Sequence, residues 1–380
     1  LDNKEISVKI TGRLTPGNNN DAKNQKYTAR ITPQNYKVGR TLITADSGVT
    51  LKGEVGKFCV TGNAVSDEWF ITTEGKRSKP AAISSLPPST DFSIYPKLTV
   101  SSGDEMGKLA DWVNAGNNME GVTFTLLNDV TIDSMIGSVG NKFYGTFDGN
   151  GNTITSTRSL MSIFYCVEYG RIKNVISEGN FSGAGIAYLC NNGTIENCKN
   201  NATISNTGNF GGGIVGQLNN AKIKNCTNNG KVVGPSGDIG GFCGWIFNDS
   251  SILNCINLGK IESTSGGVTG GIVGFGAADS SFTIYNCVNV GTVAGNGDVG
   301  AIIGRLNKGV IENSYYLSGS ASSGSSFDSS FKTMNTLTVE GTTSNNLIDL
   351  LNAWVDKENL TGATQYLRWA IVDGNPALSY

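Results

Sequence analysis

The sequence predicts an all-β protein built on a parallel β-helix, and three observations predict it. Glycine supplies 51 of the 380 residues, nearly double the usual share of about 7%, while charged residues make up only 16%. Two short phrases recur in phase along the chain. The segments between them are short, apolar or β-branched runs bounded by Gly and Asn, without any helical period. Such units cannot bury their inner faces alone, so we expect them to stack as coils about 4.8 Å apart.

Two repeated phrases define the coils. The first is I-x-N-C, in which an Ile precedes an Asn by two residues and a Cys by three; its full copies begin at Ile195, Ile223, Ile252 and Ile284. Diverged copies begin at Ile172 and Ile311, where Val175 and Ser314 replace the Cys. The second phrase, of the type G-G-I-V-G, keeps the same phase at 212–216, 240–244, 270–274 and 300–304. Each unit is predicted to form one coil of three strands.

The segment upstream of the repeats is predicted to cap the solenoid, because a terminal coil would otherwise expose strand edges and core. Ser101 or Ser102 can N-cap a short helix whose apolar face includes Leu109 and Val113. Two strands are expected after this helix, around 122–127 and 143–147.

The segment downstream of the repeats is predicted to form a second cap. Ser344 can N-cap a helix with an apolar stripe from Leu347 to Trp354. Residues 373–376, with the sequence D-G-N-P, are expected to form the turn of a terminal hairpin. The Ser/Gly-rich run at 318–330 is interpreted as an excursion between solenoid and cap.

Residues 1–96 lack the repeat and contain short alternating runs between turn residues, which predicts a β-sandwich. Four prolines between positions 80 and 96 mark a stiff linker region. The chain therefore divides into a β-sandwich-like domain over 1–96 and a β-helix over 97–380. Within the β-helix, the repeats cover about 160–316 and the C-terminal cap covers 331–380.

Charge and residue usage exclude several classes of function. Lys and Arg number 29 against 31 Asp and Glu, so the net charge is -2, and no basic block is present to bind nucleic acid. His is absent, which removes the usual general base near pH 7 and imidazole metal sites, and neither a metal nor a cofactor is expected. No apolar run approaches the roughly 18 residues of a membrane helix. Any export signal is expected ahead of Leu1.

A family resemblance rests on three features: the G-G-I-V-G phrases, coils that close in N-C-x-N, and the stretch Y-G-T-F-D-G-N-G-N-T-I at 144–154. Together with the closing segment around 367–378, they resemble the GLUG-motif surface proteins of gut Bacteroidales. The likeness covers about residues 97 to 380. It implies a right-handed β-helix, export with a signal often of the lipoprotein type, attachment at the outer membrane, and an adhesin-like role with an unknown ligand.

The repeated Cys and Asn side chains are interpreted as structural. Four Cys at matched phase would stack about 4.8 Å apart, but parallel side chains rarely orient for a disulfide. Val175 at the equivalent position favours packing over metal binding, so free, buried thiols are predicted. The Asn of each I-x-N-C phrase is expected to point inward and to bond its counterpart one coil away.

The best candidate for ligand binding is a column of outward side chains that follows the second Gly phrase. The next column along the strand, which includes Cys190, Leu218 and Ile246, is mostly apolar and therefore expected to face inward. Strand alternation then turns the preceding column outward, and on three adjacent coils it reads Trp245, Phe275 and Arg305. Such a strip suits stacking on a sugar face or on a partner chain.

Acidic residues give weaker signals for catalysis or calcium binding. Asp238 and Asp298 occupy the same phase two coils apart, with Gly267 between them and Asn209 one coil earlier, and a set of turn-forming residues explains them. Their expected separation of about 9.6 Å is near the upper limit for an inverting glycosidase pair. The run D-G-N-G-N at 148–152 has Thr153 where a calcium loop needs Gly, which predicts a turn.

Taken together, the residues and the resemblance predict an exported cell-surface protein, an adhesin without enzymatic activity that binds host or bacterial glycans or proteins through its β-helix. A polysaccharide lyase or glycoside hydrolase on the same scaffold is the alternative, and it would need a basic residue or two carboxylates gathered on one face. The basic residues near the repeats do not form one clear column: Lys173, Lys222, Lys224 and Arg305. A structural subunit whose solenoid ends or edges pair with other chains is a third possibility, and the oligomeric state is left open.

Overall fold

The structure is a computed structural model of the chain. It describes residues 99–116, 119–120, 122–277, 281–321, 346–360, 362 and 365–380 in full. Outside these ranges it describes only the backbone of the strands given below and of Thr361. The described part is all-β apart from two helices, and its main body is a parallel β-solenoid with eight coils. The predicted all-β solenoid is confirmed.

Sheet 1 contains the Ile of the I-x-N-C phrases, one short strand in each coil. Its strands are Thr123–Leu126, Thr146–Asp148, Arg171–Lys173, Thr194–Glu196, Lys222–Lys224, Ser250–Leu253, Phe282–Tyr285 and Val310–Glu312. Each pairs in parallel with its counterpart in the next coil, and Ile195, Ile223 and Ile252 stand in register and fully buried. The repeated Ile therefore forms a continuous inward column, as its phase predicts.

Sheet 2 follows the Cys of each phrase. Its strands are Val130–Ile132, Thr153–Leu160, Ile176–Phe181, Lys199–Asn200, Thr203–Ser205, Thr227–Asn228, Val232–Gly234, Ile256–Asn257, Ile261–Ser263, Val288–Asn289, Val293–Ala294, Tyr315–Leu317, Lys332–Asn335 and Thr338–Val339. From the coil of Lys199 onward, each coil up to that of Val288 contributes two short strands rather than one long strand. The first strand of each of these coils ends at a buried Asn, whose side chain bonds the backbone carbonyl two residues ahead and so accompanies this break.

Sheets 3 and 4 complete the coil. The strands of sheet 3 are Phe164–Glu168, Ala187–Asn191, Val215–Asn219, Cys243–Phe247, Val273–Gly276 and Ile303–Leu306. The strands of sheet 4 are Phe210–Gly212, Asp238–Gly240, Val268–Gly270 and Asp298–Gly300. Sheet 4 is a departure from the predicted coil of three strands, because the residues assigned to a turn form an additional short strand.

The N-terminal part contains the strands Ile10–Leu14, Lys26–Ile31, Thr41–Asp46, Thr50–Glu54, Lys57–Thr61, Trp69–Thr73, Lys76–Ser78 and Asp91–Val100. The strand Ile10–Leu14 pairs antiparallel with both Lys26–Ile31 and Asp91–Val100. Residues Lys97–Val100 pair in parallel with the first strand of sheet 1. The predicted β-sandwich over 1–96 otherwise lies outside the described residues.

Helix α1 (Gly103–Asn114) begins where the sequence predicts it. Ser102 is extended and its side chain accepts a hydrogen bond from the backbone N–H of Glu105, as an N-cap does. Leu109 and Val113 are buried against the first coils. The two strands expected after α1 are present but shorter than predicted, at Thr123–Leu126 and Thr146–Asp148.

Helix α2 (Leu347–Thr361) is N-capped by Asn346, whose side chain accepts from the N–H of Ile348. The prediction of Ser344 as cap was wrong by two residues; Asn at this position satisfies the same free N–H groups. The terminal hairpin is confirmed, with strands Trp369–Val372 and Asn375–Leu378. Its turn is tighter than expected, because Asp373 and Gly374 both adopt a positive φ and form a two-residue loop.

The C-terminal segment (346–380) packs along the flank of the solenoid. A second apolar cluster joins residues of three successive coils to α2 and the hairpin: Ile256, Val288, Tyr315, Leu347, Leu351, Val355, Trp369 and Leu378. The main core contains instead the Ile and Cys columns. The part of the predicted cap at 346–380 therefore lies along the side of the coils, whereas the strand Lys332–Asn335 extends sheet 2 beyond the last coil.

Two ladders of Asn side chains stabilise the turns between sheets. The corner ladder consists of the Asn of each I-x-N-C phrase and its relatives: Asn174, Asn197, Asn225, Asn254, Asn286 and Asn313. All six have a φ between 45° and 55°, the left-handed region that Asn tolerates best after Gly. Their side chains bond from coil to coil, and those of Asn225, Asn254 and Asn286 also bond the C-terminal segment on the flank, so the ladder faces outward. The expectation that these Asn point inward was wrong.

The inner ladder lies three residues further along each phrase. It consists of Asn200, Asn228, Asn257 and Asn289, fully buried and joined by amide-to-carbonyl bonds of 2.7 Å. Each amide also donates to the backbone carbonyl two residues ahead. Every buried amide in the ladder is therefore bonded, which makes burial of these polar side chains tolerable.

Candidate functional site

The structure places Trp245, Phe275 and Arg305 on adjacent coils of sheet 3. Trp245 is in register with Phe275, and Phe275 with Arg305. All three side chains are half-buried, while Leu218 and Ile246 in the neighbouring column are fully buried. The alternation inferred from the sequence therefore holds, and the three side chains form an outward-facing row.

Sheet 4 lies beside this row because the chain folds back sharply at each G-G-I-V-G phrase. At Gly244, a Cβ would lie 2.4 Å from the carbonyl oxygen of Asp238, six residues earlier in the same coil. At Gly274, it would lie 2.8 Å from the backbone N of Ile239. Only Gly permits this approach of two backbones, which explains the glycine that ends each phrase.

The fold-back adds two aromatic rings that sequence reasoning missed. The Phe210 ring lies 5.0 Å from that of Trp245, and the Phe247 ring also lies 5.0 Å from it, centroid to centroid. Phe275 follows at 6.3 Å from Trp245, and the Arg305 guanidinium lies 5.9 Å from the Phe275 ring. Because side chains alternate along a strand, Phe247, two residues after Trp245, could have been identified as a second outward-facing ring. No such pattern in the sequence points to Phe210, because its place beside Trp245 depends on where sheet 4 packs.

We call these five residues the aromatic strip: Phe210, Trp245, Phe247, Phe275 and Arg305. Each is half-buried, so the rings expose part of their surface while neighbouring rings hold them in place. Contacts of this kind between rings are favourable at centroid distances of about 4.5–7 Å. The strip is therefore an ordered, partly apolar surface.

Two carboxylates begin strands of sheet 4 beside the strip. Asp238 is in register with Phe210 on one side and Val268 on the other, and Val268 is in register with Asp298. The sequence predicted a turn at these positions and aligned them with Asn209 and Gly267. In the structure they lie in strands and stand in register with the next residues along the chain, Phe210 and Val268. Two parallel rungs put Asp238 and Asp298 about 9.6 Å apart along the solenoid.

The two carboxylates differ in their partners. Arg305 donates from its guanidinium to Asp298, forming an ion pair. The side chain of Asp238 has no hydrogen-bond or ion-pair partner among the described residues. Burial raises the pKa of Asp238 to about 6, and the more distant charge of Arg305 offsets only part of this rise.

Among the residues that the structure describes, the indole N–H of Trp245 also finds no hydrogen-bond acceptor, and it is shielded from solvent. Buried N–H groups of Trp normally find an acceptor. Thus the described residues leave two groups unbonded here: one donor in the strip, the Trp245 N–H, and one acceptor beside it on sheet 4, the Asp238 carboxylate.

The other acidic and basic candidates are engaged in structural contacts. Asp148 receives hydrogen bonds from Asn174 at 2.8 Å and from the backbone N of Asn150 at 2.9 Å, and it pairs with Lys173 at 2.6 Å. Burial alone would raise the pKa of Asp148, but these partners lower it overall. The turn predicted at 148–152 is confirmed by the positive φ of Asn150 and Gly151.

The lysines of sheet 1 do not gather into a catalytic group. Lys224 pairs with Glu196 at 2.7 Å, and Arg171 pairs with the same carboxylate. Within the described residues, no group of three or more His, Cys, Asp or Glu could hold a metal ion. No described helix is long and apolar enough to cross a membrane.

The seven described cysteines are free and buried, as predicted: Cys166, Cys190, Cys198, Cys226, Cys243, Cys255 and Cys287. Those of the I-x-N-C phrases stack along the core, where the backbone N–H of Cys198 bonds the Sγ of Cys226 at 3.4 Å. Burial raises the pKa of the Cys166 thiol to about 11, which makes it a poor nucleophile at neutral pH.

Comparisons with known proteins leave the family of this chain open. No protein-family model matches it, and no curated protein matches it. Among solved structures, one described as "IgA1 Protease" is similar at 13% sequence identity and a TM-score of 0.47. The matched region covers 88% of this chain and 29% of that chain. A likeness this weak carries no argument about function.

Proposed function

We propose that this protein is a non-enzymatic, exported surface protein that binds glycans through the aromatic strip. The strip itself supports the proposal: four rings and a guanidinium lie in contact on adjacent coils with part of each surface exposed. Sugar rings stack on such aromatic faces, and polar groups at the edge orient them. The stacked coils hold the strip rigid, so little ordering of side chains is needed on binding.

The location at the cell surface, with a signal and a lipoprotein anchor ahead of Leu1, is part of the same proposal. It rests on the resemblance to GLUG-motif surface proteins, whose repeated phrases coincide with the coils of the solenoid. An adhesin role follows from this location and from a binding surface that faces outward along the coils. Membrane fractionation of the native host, with an antibody against this chain, tests the location.

A glycan and matrix-protein array on the full chain tests the binding function. Trp245→Ala and Phe275→Ala are expected to lose binding at least tenfold, because each removes a stacking face. Tyr169→Ala is the matched control, since Tyr169 is 69% exposed and lies outside the strip. Binding to proteins alone, or binding unchanged in both strip variants, would overturn the proposed function.

The alternative function, glycoside hydrolysis, draws support from Asp238 and Asp298, which lie about 9.6 Å apart along the axis. Asp298, however, is tied to Arg305 in an ion pair, so it is not free to activate water. A reducing-end assay on every glycan bound in the array separates the two functions. Sugar release that is lost in Asp238→Asn would favour the enzyme.

A further inference from the structure

We infer that the aromatic strip selects neutral glycans over acidic ones, with Asp238 accepting hydrogen bonds from sugar hydroxyls. This inference rests on the proposed function, since it names the ligand class of the same site. It begins from a carboxylate that lacks a partner among the described residues, although it is half-buried beside the ring of Phe210, its neighbour in register. Partial burial weakens the hydration of this carboxylate, so a ligand that donates hydrogen bonds to it stabilises the ionised form.

The chemistry of Asp238 determines what can bond it. An ionised carboxylate only accepts hydrogen bonds, so its ligand must present donors. Sugar hydroxyls are donors, and a hydroxyl bonded to a carboxylate forms a charge-assisted bond, roughly twice as strong as a neutral one. The partly exposed rings of Trp245 and Phe275, on adjacent coils, offer apolar faces for the C–H side of the same sugar. Together they provide the two kinds of contact that a sugar ring requires.

The charges of the site disfavour an acidic sugar. The charged side chains at the strip are Asp238, Asp298 and Arg305, and the ion pair between the last two neutralises both. A net charge of -1 therefore remains at the strip when Asp238 is ionised. A uronic acid or sialic acid would bring a second negative charge, for which the described residues at the strip offer no free cationic partner, and this is unfavourable in a half-buried site.

The groups that face Asp238 set the pH at which this selection changes. Besides Arg305 and Asp298, the strands packed against Asp238 contribute the buried thiol of Cys243 and the carboxylate of Glu262. Glu262 is held by Lys231 at 3.3 Å and Lys260 at 3.0 Å, so its charge is compensated. Burial raises the pKa of Asp238 to about 6, and selection should weaken below that pH.

Binding measured from pH 4.5 to 7.5 tests the inference, with the full chain and four probes. The neutral probes are cellohexaose, mannohexaose and chitohexaose, and the acidic probe is hexagalacturonate. At least one neutral probe is expected to bind about fivefold to tenfold more tightly at pH 7.5 than at pH 4.5. Hexagalacturonate is expected to show no measurable binding at pH 7.5.

Variants show whether Asp238 carries the effect. Asp238→Asn keeps the shape of the side chain but cannot ionise. It is expected to bind neutral probes equally at pH 4.5 and pH 7.5, with the weaker affinity that the wild type shows at pH 4.5. Glu262→Gln is the matched control, because Glu262 lies outside the strip, and it should retain the pH dependence.

Two outcomes overturn the inference. If hexagalacturonate binds through Trp245 and Phe275 while the neutral probes do not, the proposed function stands and the neutral selection fails. The selection also fails if neutral probes bind with the same pH dependence in Asp238→Asn as in the wild type. If the array and all four probes give no binding, the proposed function and this inference fail together.

Discussion

The indole N–H of Trp369 donates a hydrogen bond of 2.6 Å to the side-chain oxygen of Asn254, 115 positions earlier in the chain. The same Asn254 donates at 2.8 Å to the backbone carbonyl of Leu367. One rung away, Asn225 bonds both the N–H of Leu367 and the carbonyl of Gln365. The corner ladder therefore serves two purposes: it closes the turns of the coils and it holds the C-terminal segment.

Trp369→Phe is expected to lower the free energy of unfolding by about 1–3 kcal/mol, because it leaves a buried acceptor on Asn254 short of one donor. Urea denaturation followed by circular dichroism measures the change. Trp354→Phe is the matched control: Trp354 packs against Tyr366, but its N–H has no partner among the described residues. Equal losses in the two variants would contradict the role given to the Trp369–Asn254 bond.

Two glycine substitutions should have opposite effects on stability. A Cβ at Gly241 would lie 2.1 Å from the carbonyl oxygen of Gly271 and 2.7 Å from the side chain of Asn257, so Gly241→Ala is expected to cost about 3 kcal/mol. Gly107 lies inside α1 with nothing within 4 Å of its Cβ position. Gly107→Ala should therefore stabilise the fold by about 0.5–1 kcal/mol. A tolerated Gly241→Ala would argue against the close coil contact.

The unpartnered carboxylate of Asp238 should make stability depend on pH. Burial raises its pKa to about 6, against about 3.9 in an unfolded chain, so the folded state binds more protons between these values. The contribution of Asp238 to the free energy of unfolding is therefore greatest below pH 4. It falls as the pH rises from 4 to 6 and stays low above pH 6. Asp238→Asn should stabilise the protein at pH 7.5 by about 1–2 kcal/mol, after allowance for solvent screening.

Unfolding in urea at pH 3.5 and pH 7.5 checks this prediction. The wild type and Asp238→Asn should be nearly equal at pH 3.5 and should differ only at pH 7.5. A difference that is the same at both pH values would contradict the raised pKa. Glu262→Gln is again the control, since that carboxylate is compensated by two lysines.

The buried thiols should be unreactive in the folded protein. Burial raises the pKa values of Cys190 and Cys243, and both side chains are shielded from solvent, so a thiol reagent at pH 8 should reach them only on unfolding. Titration of denatured, unreduced protein should then find at least about seven free thiols. Fewer than six would indicate disulfides. Rapid reaction in the native state would indicate that the coils open.

How far the sequence predicted the site can be judged from single residues. The phase of the repeats put Trp245, Phe275 and Arg305 in one outward row, because a stacked coil transfers sequence phase directly into register. Phe210 and the position of Asp238 in a strand were missed. Their segments are short and Gly-rich and lack a hydrophobic period, so only the approach of two backbones at Gly244 reveals them.

By itself, the sequence determined the coil: its length, its inward Ile and Cys columns, and its Gly and Asn corners. These features repeat, and a repeat has to satisfy the same local packing and hydrogen bonding in each copy. Only the tertiary structure decided that the corner Asn face outward to hold the C-terminal segment, and that sheet 4 brings Asp238 and Phe210 to the strip. Such contacts join residues far apart in the chain, and no local pattern records the angle at which a backbone folds back.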